Sequence, residues 1–89
     1  MRVKIFGTLR QVVGAKEVGV DAADTVRDVL ERLTAEHPAL RERILDDDGS
    51  LQSSITLLVN GRNVRFLNGL DTTVRENDQV ALFPPVGGG

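Results

Sequence analysis

The length, composition and charge of the 89-residue chain exclude several classes of protein. A chain of this size forms one domain and buries too little surface to enclose a deep active site. Eleven basic and thirteen acidic residues give a formal net charge of −2, and the three aromatic residues are all Phe. This balance argues against a nucleic-acid partner, which needs phosphate neutralisation and base stacking. With no cysteine and one histidine, the chain offers no thiolate nucleophile and no metal site.

The chain shows neither a targeting signal nor a membrane-spanning segment. Charged residues interrupt the apolar ones at the N-terminus, so residues 1–7 are not a signal peptide. The longest apolar run, residues 55–59, is far too short to cross a bilayer. We therefore expect a cytoplasmic protein with no membrane partner.

Hydrophobic periodicity predicts the first elements in chain order. Residues 2–6 alternate polar and apolar side chains, as in a half-buried strand. Residues 8–13 have helical spacing and stop at Gly14, which indicates a short helix. Residues 17–20 alternate again and predict a second strand, antiparallel to the first.

The main helix begins at a capping box, in which the Thr25 hydroxyl and the Asp28 carboxylate can each accept a backbone N–H. The apolar stripe that follows consists of Val26, Val29, Leu30 and Leu33. Pro38 ends this helix and can start a shorter one that reaches Leu45.

The second half of the chain predicts three further strands, at residues 54–59, 63–66 and 79–83. Asn60-Gly61 joins the first two as a tight hairpin, because both residues tolerate positive φ. Pro84-Pro85 ends the last strand by removing hydrogen-bond donors. The order predicts an α+β fold, with a mixed sheet of four to five strands and one main helix packed on one face.

Strand alternation also predicts an apolar cluster on the other face of the sheet. If Val3, Ile5 and their counterparts face the helix, then Phe6, Leu58, Ala81 and Phe83 point away from it. Clustered exposed apolar side chains mark an interface. Phe6, Leu58 and Phe83 are therefore predicted partner-binding residues.

The C-terminal segment carries the strongest functional signal. We expect a domain at residues 1–83 and a flexible tail at residues 84–89, formed by Pro84, Pro85, Val86, Gly87, Gly88 and Gly89. Two prolines favour an extended exit, and bare glycine backbone can enter a narrow cleft. The reactive group at the tip is the Gly89 α-carboxylate. The alternative is a frayed terminus without function.

These residues carry a family resemblance over essentially the whole chain. The hairpin Asn60-Gly61, the segments 69–74 and 77–80, and above all Phe83-Pro84-Pro85-Val86-Gly87-Gly88-Gly89 resemble the MoaD-like sulfur carriers and archaeal small modifier proteins. Those proteins belong to the ubiquitin-like β-grasp group, together with ThiS and Urm-type modifiers. Asn77, in a turn where the family usually has Gly, is a mild departure.

The resemblance implies a mechanism centred on Gly89. An activating enzyme adenylates the carboxylate with ATP, and sulfur from a persulfide then replaces AMP to give a thiocarboxylate. In the MoaD relatives, the large subunit of molybdopterin synthase takes this sulfur. In the modifier relatives, a lysine amine of a target protein takes the acyl group as an isopeptide. The chain itself would bind no cofactor and would not be an enzyme.

Three readings remain open. The leading one is a MoaD-type carrier, the small subunit of molybdopterin synthase. The second is a protein modifier, or a carrier for cysteine synthesis or tRNA thiolation; the segment 63–70 is similar to the cysteine-pathway carriers. The third is a β-grasp binding module whose tail is inert.

Overall fold

The computed structural model describes residues 1–85, so the features predicted at Val86, Gly87, Gly88 and Gly89 lie outside the described residues. The described chain forms five strands and three α-helices, with 3₁₀ helices at Val64–Phe66 and Gly69–Asp71. In chain order these are β1 (Arg2–Ile5), α1 (Leu9–Val13), β2 (Glu17–Gly19), α2 (Val26–Glu36), α3 (Pro38–Ile44), β3 (Thr56–Val59), β4 (Arg62–Asn63) and β5 (Gln79–Phe83).

The strands form one mixed sheet in the order β2-β1-β5-β3-β4. β5 lies at the centre, parallel to β1 and antiparallel to β3. β2 and β4 are the edge strands, and each pairs antiparallel with its neighbour. The predicted α+β architecture and the mixed sheet are confirmed.

The predicted capping box at the start of α2 is present. The Asp28 N–H donates to Thr25 Oγ1 at 3.2 Å, and the Asp28 carboxylate accepts the Thr25 N–H at 3.3 Å. The same carboxylate accepts the Asp24 N–H at 3.0 Å. This last bond, followed by the contacts with Thr25, lowers the pKa of Asp28. Local side-chain chemistry therefore fixes where the main helix begins.

The hydrophobic core fills the space between the helices and one face of the sheet, called here the inner face. Its strand residues alternate along each strand, because successive side chains point to opposite faces. They are Val3, Ile5, Leu57, Val59, Val80 and Leu82, each at most 6% exposed. The helices close this face with Val26, Val29, Leu30, Leu33, Leu40 and Ile44. Across residues 1–85, no helix has the length and apolar character needed to cross a membrane.

The strand predicted at residues 63–66 is wrong beyond Asn63. The Asn63 side chain accepts the Arg65 N–H at 2.9 Å, which caps a 3₁₀ helix in place of further pairing with β3. Val64 turns into the core, and the Arg65 guanidinium donates to the carbonyl oxygens of Ile55 and Gln52. These contacts draw the chain away from the sheet.

The predicted hairpin at Asn60-Gly61 is confirmed, with φ of 51° and 82° at the two residues. Asn60 also joins this turn to the start of β5. Its Nδ2 donates to Asp78 Oδ1 at 2.9 Å, and its Oδ1 accepts the Gln79 N–H at 2.9 Å. The bond from Asn60, then one from the Arg75 N–H, lowers the pKa of Asp78.

Candidate functional site: the tail exit and the outer sheet face

The chain leaves the domain from the central strand. β5 ends at Phe83 beside the end of its parallel neighbour β1, with Ile5 opposite Leu82. The Phe6 N–H donates to the Leu82 carbonyl at 3.1 Å, which extends this pairing by one residue. Pro84 is half-buried and Pro85 is exposed. The tail exit is therefore fixed to the carboxyl ends of the two central parallel strands.

Gly7 lies directly against the first residue of the tail. Its φ is +58°, a left-handed conformation that glycine adopts without steric cost. A Cβ built on Gly7 would lie 2.6 Å from Pro84 Cγ and 3.2 Å from Pro84 Cδ. Both the backbone conformation and the contact require glycine here, so the loop after β1 helps to set the position of Pro84.

Two aromatic rings stack beside the exit. The Phe6 and Phe83 rings have centroids 4.3 Å apart and planes inclined by 9°. The Arg10 guanidinium lies 5.3 Å from the centre of the Phe6 ring, and its Nε donates to the Ile5 carbonyl at 2.7 Å. Stacking and the cation–π contact hold both rings in place on the sheet.

Strand register brings the predicted apolar residues together. Leu58 is opposite Ala81 across β3 and β5, and Thr56 is opposite Phe83. The name outer patch is used here for Phe6, Leu58, Ala81 and Phe83. All four are half-buried, in contrast to the closed inner face. The structure thus places Phe6, Leu58 and Phe83 on one surface next to Pro84.

The sequence reasoning missed the supporting contacts of this surface. It did not single out Gly7 or Arg10, and it did not foresee that Phe6 and Phe83 stack on each other. The sequence does contain a signal for the stack. Each Phe directly follows the last inner-face residue of its strand, and the two strands, β1 and β5, are parallel neighbours. Recognising it requires knowing that β1 and β5 pair.

The tail exit is not accompanied by a metal-binding cluster within residues 1–85. In that range, no group of three or more His, Asp or Glu residues is arranged to hold a metal ion. His37 lies at the junction of α2 and α3, where its backbone N–H bonds the Leu33 carbonyl. The described part of the chain offers a surface and an exit path.

Comparison with known proteins agrees with this small mixed-sheet domain and its C-terminal exit. The sequence model of the ThiS family matches residues 3–89, which is nearly the whole chain. The chain belongs to the ThiS family.

Two relatives show the range of this family. Small archaeal modifier protein 3 of Haloferax volcanii is 41% identical over 91 residues, covering 100% of this chain and 98% of its own. The sulfur carrier protein CysO of Mycobacterium tuberculosis is 33% identical over 89 residues, covering 98% of this chain and 96% of its own. The family is thus one of small ubiquitin-like sulfur carriers and modifier proteins.

Solved structures share the fold over nearly the full length. The BexX/CysO complex of Amycolatopsis orientalis contains a chain with a TM-score of 0.87 and 29% identity, covering 99% of this chain and 98% of that one. A protein of Pyrococcus furiosus provisionally described as molybdopterin converting factor, subunit 1, gives a TM-score of 0.72 and 30% identity, covering 96% of this chain and 95% of that one. The ubiquitin-like β-grasp fold is confirmed.

Proposed function

We propose that this protein is a ubiquitin-like carrier whose Gly89 carboxylate is activated by a partner adenylating enzyme. The activated acyl group is then converted to a thiocarboxylate or transferred to a lysine of a target protein. The observation that carries the proposal is the position of the tail exit. The chain leaves the central strand at Phe83, beside the outer patch, and the sequence continues from there to Gly88-Gly89.

Chain geometry explains why the exit and the patch belong together. The six residues after Phe83 can span at most about 20 Å when fully extended. An enzyme that acts on Gly89 must therefore bind the domain close to the exit. The outer patch supplies half-exposed aromatic and apolar side chains at that place, and such side chains dominate the binding energy of protein interfaces.

The chemistry needs a partner because a carboxylate is a poor electrophile. Attack of a Gly89 carboxylate oxygen on the α-phosphorus of ATP releases pyrophosphate and gives an acyl-adenylate. The terminal sulfur of a persulfide then attacks the acyl carbon, forms a C–S bond and displaces AMP. A thiol next attacks the other sulfur and breaks the persulfide's S–S bond, which leaves the thiocarboxylate and a disulfide. In the modifier route, a lysine amine displaces AMP and loses a proton. ATP and the acid–base groups belong to the partner in each step, and this chain binds no cofactor.

Several downstream uses share this first step. Protein modification is favoured by the full-length similarity to a small archaeal modifier protein, and sulfur supply for cysteine synthesis by the similarity to CysO. The small subunit of molybdopterin synthase, the leading reading of the sequence, is favoured by the similarity to the Pyrococcus furiosus converting factor subunit. That reading stays a prediction, as do delivery of sulfur to tRNA and a cytoplasmic location.

Mass analysis of protein purified from its own host tests the common step. A thiocarboxylate at Gly89 supports sulfur carriage, and a glycine remnant on lysines of other proteins supports conjugation. Finding only the unmodified carboxylate, under all growth conditions, would leave the inert binding module as the better reading.

A truncation gives the matched biochemical test. Removal of Gly88-Gly89 is expected to abolish loading by the activating enzyme, because the reacting carboxylate is then displaced toward Pro85. The melting temperature is expected to stay within about 1 °C, because chain termini contribute little to stability unless they are tied down. Gly89→Asp keeps the chain length and the position of the α-carboxylate. It should also load poorly, because a side chain at the tip hinders entry into a narrow cleft.

A further inference from the structure

A groove lined mainly by cations lies next to the outer patch, on the half of the sheet formed by β1 and β2. Its volume is about 530 Å³. The side chains that define it are Arg2, Lys4, Phe6, Arg10, Lys16 and Glu17. This cationic groove shares Phe6 with the outer patch. A partner that binds the patch would therefore also contact the groove.

The charge of the groove is opposite in sign to that of the protein. Four cations and one carboxylate give it a formal charge of +3, whereas the whole chain carries −2. Arg2 is paired with Glu17 at 3.4 Å. Within the described residues, no carboxylate lies within ion-pair distance of Lys4, Arg10 or Lys16. These three cations therefore face solvent around one concave surface, and none of them is paired with a carboxylate of residues 1–85.

The Arg10 guanidinium is held in an orientation that allows it to bind a carboxylate. Its Nε donates to the Ile5 carbonyl and its guanidinium lies by the Phe6 ring. Neither terminal amino group of that guanidinium has a hydrogen-bond acceptor among residues 1–85. A fixed guanidinium fork binds a carboxylate through two parallel hydrogen bonds, and less side-chain entropy is lost on binding.

We propose that the cationic groove receives an acidic segment of the activating enzyme, with one carboxylate on Arg10 and others near Lys4 and Lys16. This assignment rests on the proposed function, because it names the chemistry of the partner that loads Gly89. An extended nucleic acid would fit the charge equally well. It is disfavoured because the single aromatic ring of the groove, Phe6, already stacks on Phe83 and contacts Arg10, which leaves little surface for base stacking.

A pair of charge-reversal variants tests the inference. The groove variant combines Lys4→Glu with Lys16→Glu, and the control combines Arg41→Glu with Arg43→Glu on α3. All four side chains are exposed, and both variants change the net charge equally. Arg10 is left intact because it supports Phe6. Circular dichroism confirms that each variant is folded before it is compared.

The first readout is the loading of Gly89 by the activating enzyme of the same host. At about 50 mM salt, the groove variant is expected to raise the KM for the carrier at least about tenfold, whereas the control changes it less than about twofold. The difference should shrink at about 500 mM salt, where charges are screened. Equal effects of the two variants, or no effect of the groove variant, would overturn the inference while the proposed function stands.

The second readout needs no enzyme. A ten-residue glutamate-rich peptide is titrated into the labelled full chain and followed by backbone amide NMR, with a deoxythymidine oligonucleotide of equal charge in parallel. Peptide shifts centred on Lys4, Arg10 and Lys16 support the groove as a site for acidic segments. If wild-type protein is nevertheless never loaded, the proposed function fails and with it the identity of the partner, while the peptide site stands. Tighter binding of the oligonucleotide than of the peptide at this groove would overturn it.

Discussion

The two faces of the sheet are formed by the same strands but differ in how far their side chains are buried. On the inner face, Ile5 and Leu82 are fully buried beneath the helices. One residue further along the chain in each case, Phe6 (directly after β1) and Phe83 (the last residue of β5) lie on the outer face and remain half-exposed. The difference teaches that neighbouring residues of one strand meet different surroundings: one is enclosed beneath the helices, and the next stays accessible for the partner binding proposed above.

The outer face is nevertheless ordered without a helix to cover it. Ring stacking, the Arg10 contact and the packing of Pro84 on Gly7 hold its side chains in place. Preorganised side chains lose less entropy when a partner binds, which favours affinity from a small surface. The side chains of the outer face are thus held in fixed positions by their own contacts. The contrast between the inner and outer faces can be tested with single substitutions.

The largest effect is expected from truncation on the inner face. Leu82→Ala should lower the free energy of unfolding by about 2–5 kcal/mol, because it leaves a cavity at a fully buried site. Leu58→Ala on the outer face is the matched variant and should cost clearly less. Chemical denaturation measures both, and equal losses would contradict the division between the two faces.

A smaller effect is expected where the faces meet the tail. Gly7→Ala should cost about 1–3 kcal/mol, from the left-handed φ and from the clash of the new Cβ with Pro84. Gly14→Ala is the control, because Gly14 also has a positive φ but has no atom near the position of a Cβ. The excess loss in Gly7→Ala reports the Pro84 contact, and thermal denaturation of both variants measures it. Equal melting temperatures of Gly7→Ala and Gly14→Ala would show that Pro84 moves away from the new Cβ without a measurable cost in stability.

Removal of one stacked ring should affect binding more than folding. Phe83→Ala is expected to cost about 1–2 kcal/mol of stability, because the ring is half-exposed and loses a stacking partner. Binding to the activating enzyme, measured by calorimetry, should weaken at least about tenfold. Phe66→Ala is the control: this residue is 86% exposed and lies outside the patch, so both quantities should barely change. A stability loss at Phe83 as large as that at Leu82 would place it in the core.

The smallest effect concerns the end of β5 away from the tail. The pKa of Asp78 lies below its ordinary value of 3.8, so its ionised form stabilises the fold at neutral pH. That contribution is present above about pH 4 and is lost as the pH falls through the lowered pKa. Asp78→Asn should therefore flatten the acid limb of the stability curve, measured by denaturation between pH 2 and 7. An acid limb as steep in Asp78→Asn as in the wild-type protein would contradict this role of Asp78.

Local signals predicted most of the fold. The Thr25–Asp28 capping box marked the start of α2, and Asn60-Gly61 marked the hairpin, because each depends on residues adjacent in sequence. The short fourth strand was wrong beyond Asn63. The chain leaves the sheet there because Arg65 bonds to the carbonyl groups of Gln52 and Ile55, and no local sequence pattern reveals such contacts.

The candidate site was predictable in its residues but not in its construction. Alternation placed Phe6, Leu58 and Phe83 on one face without any knowledge of strand order. The stack of Phe6 on Phe83 and the contact of Gly7 with Pro84 join residues 77 positions apart. They arise from the parallel pairing of the first and last strands, which only the assembled sheet defines.

That pairing also has a mechanical consequence. β5 is held on both sides along its length, by β1 and by β3, and its C-terminal end continues into Pro84 and Pro85. A pull applied through the C-terminus loads these hydrogen bonds in shear, so many must break together before the strand slides. If the protein is linked through Gly89 to a substrate that is being threaded into an unfolding machine, its central strand is the first element to resist the force.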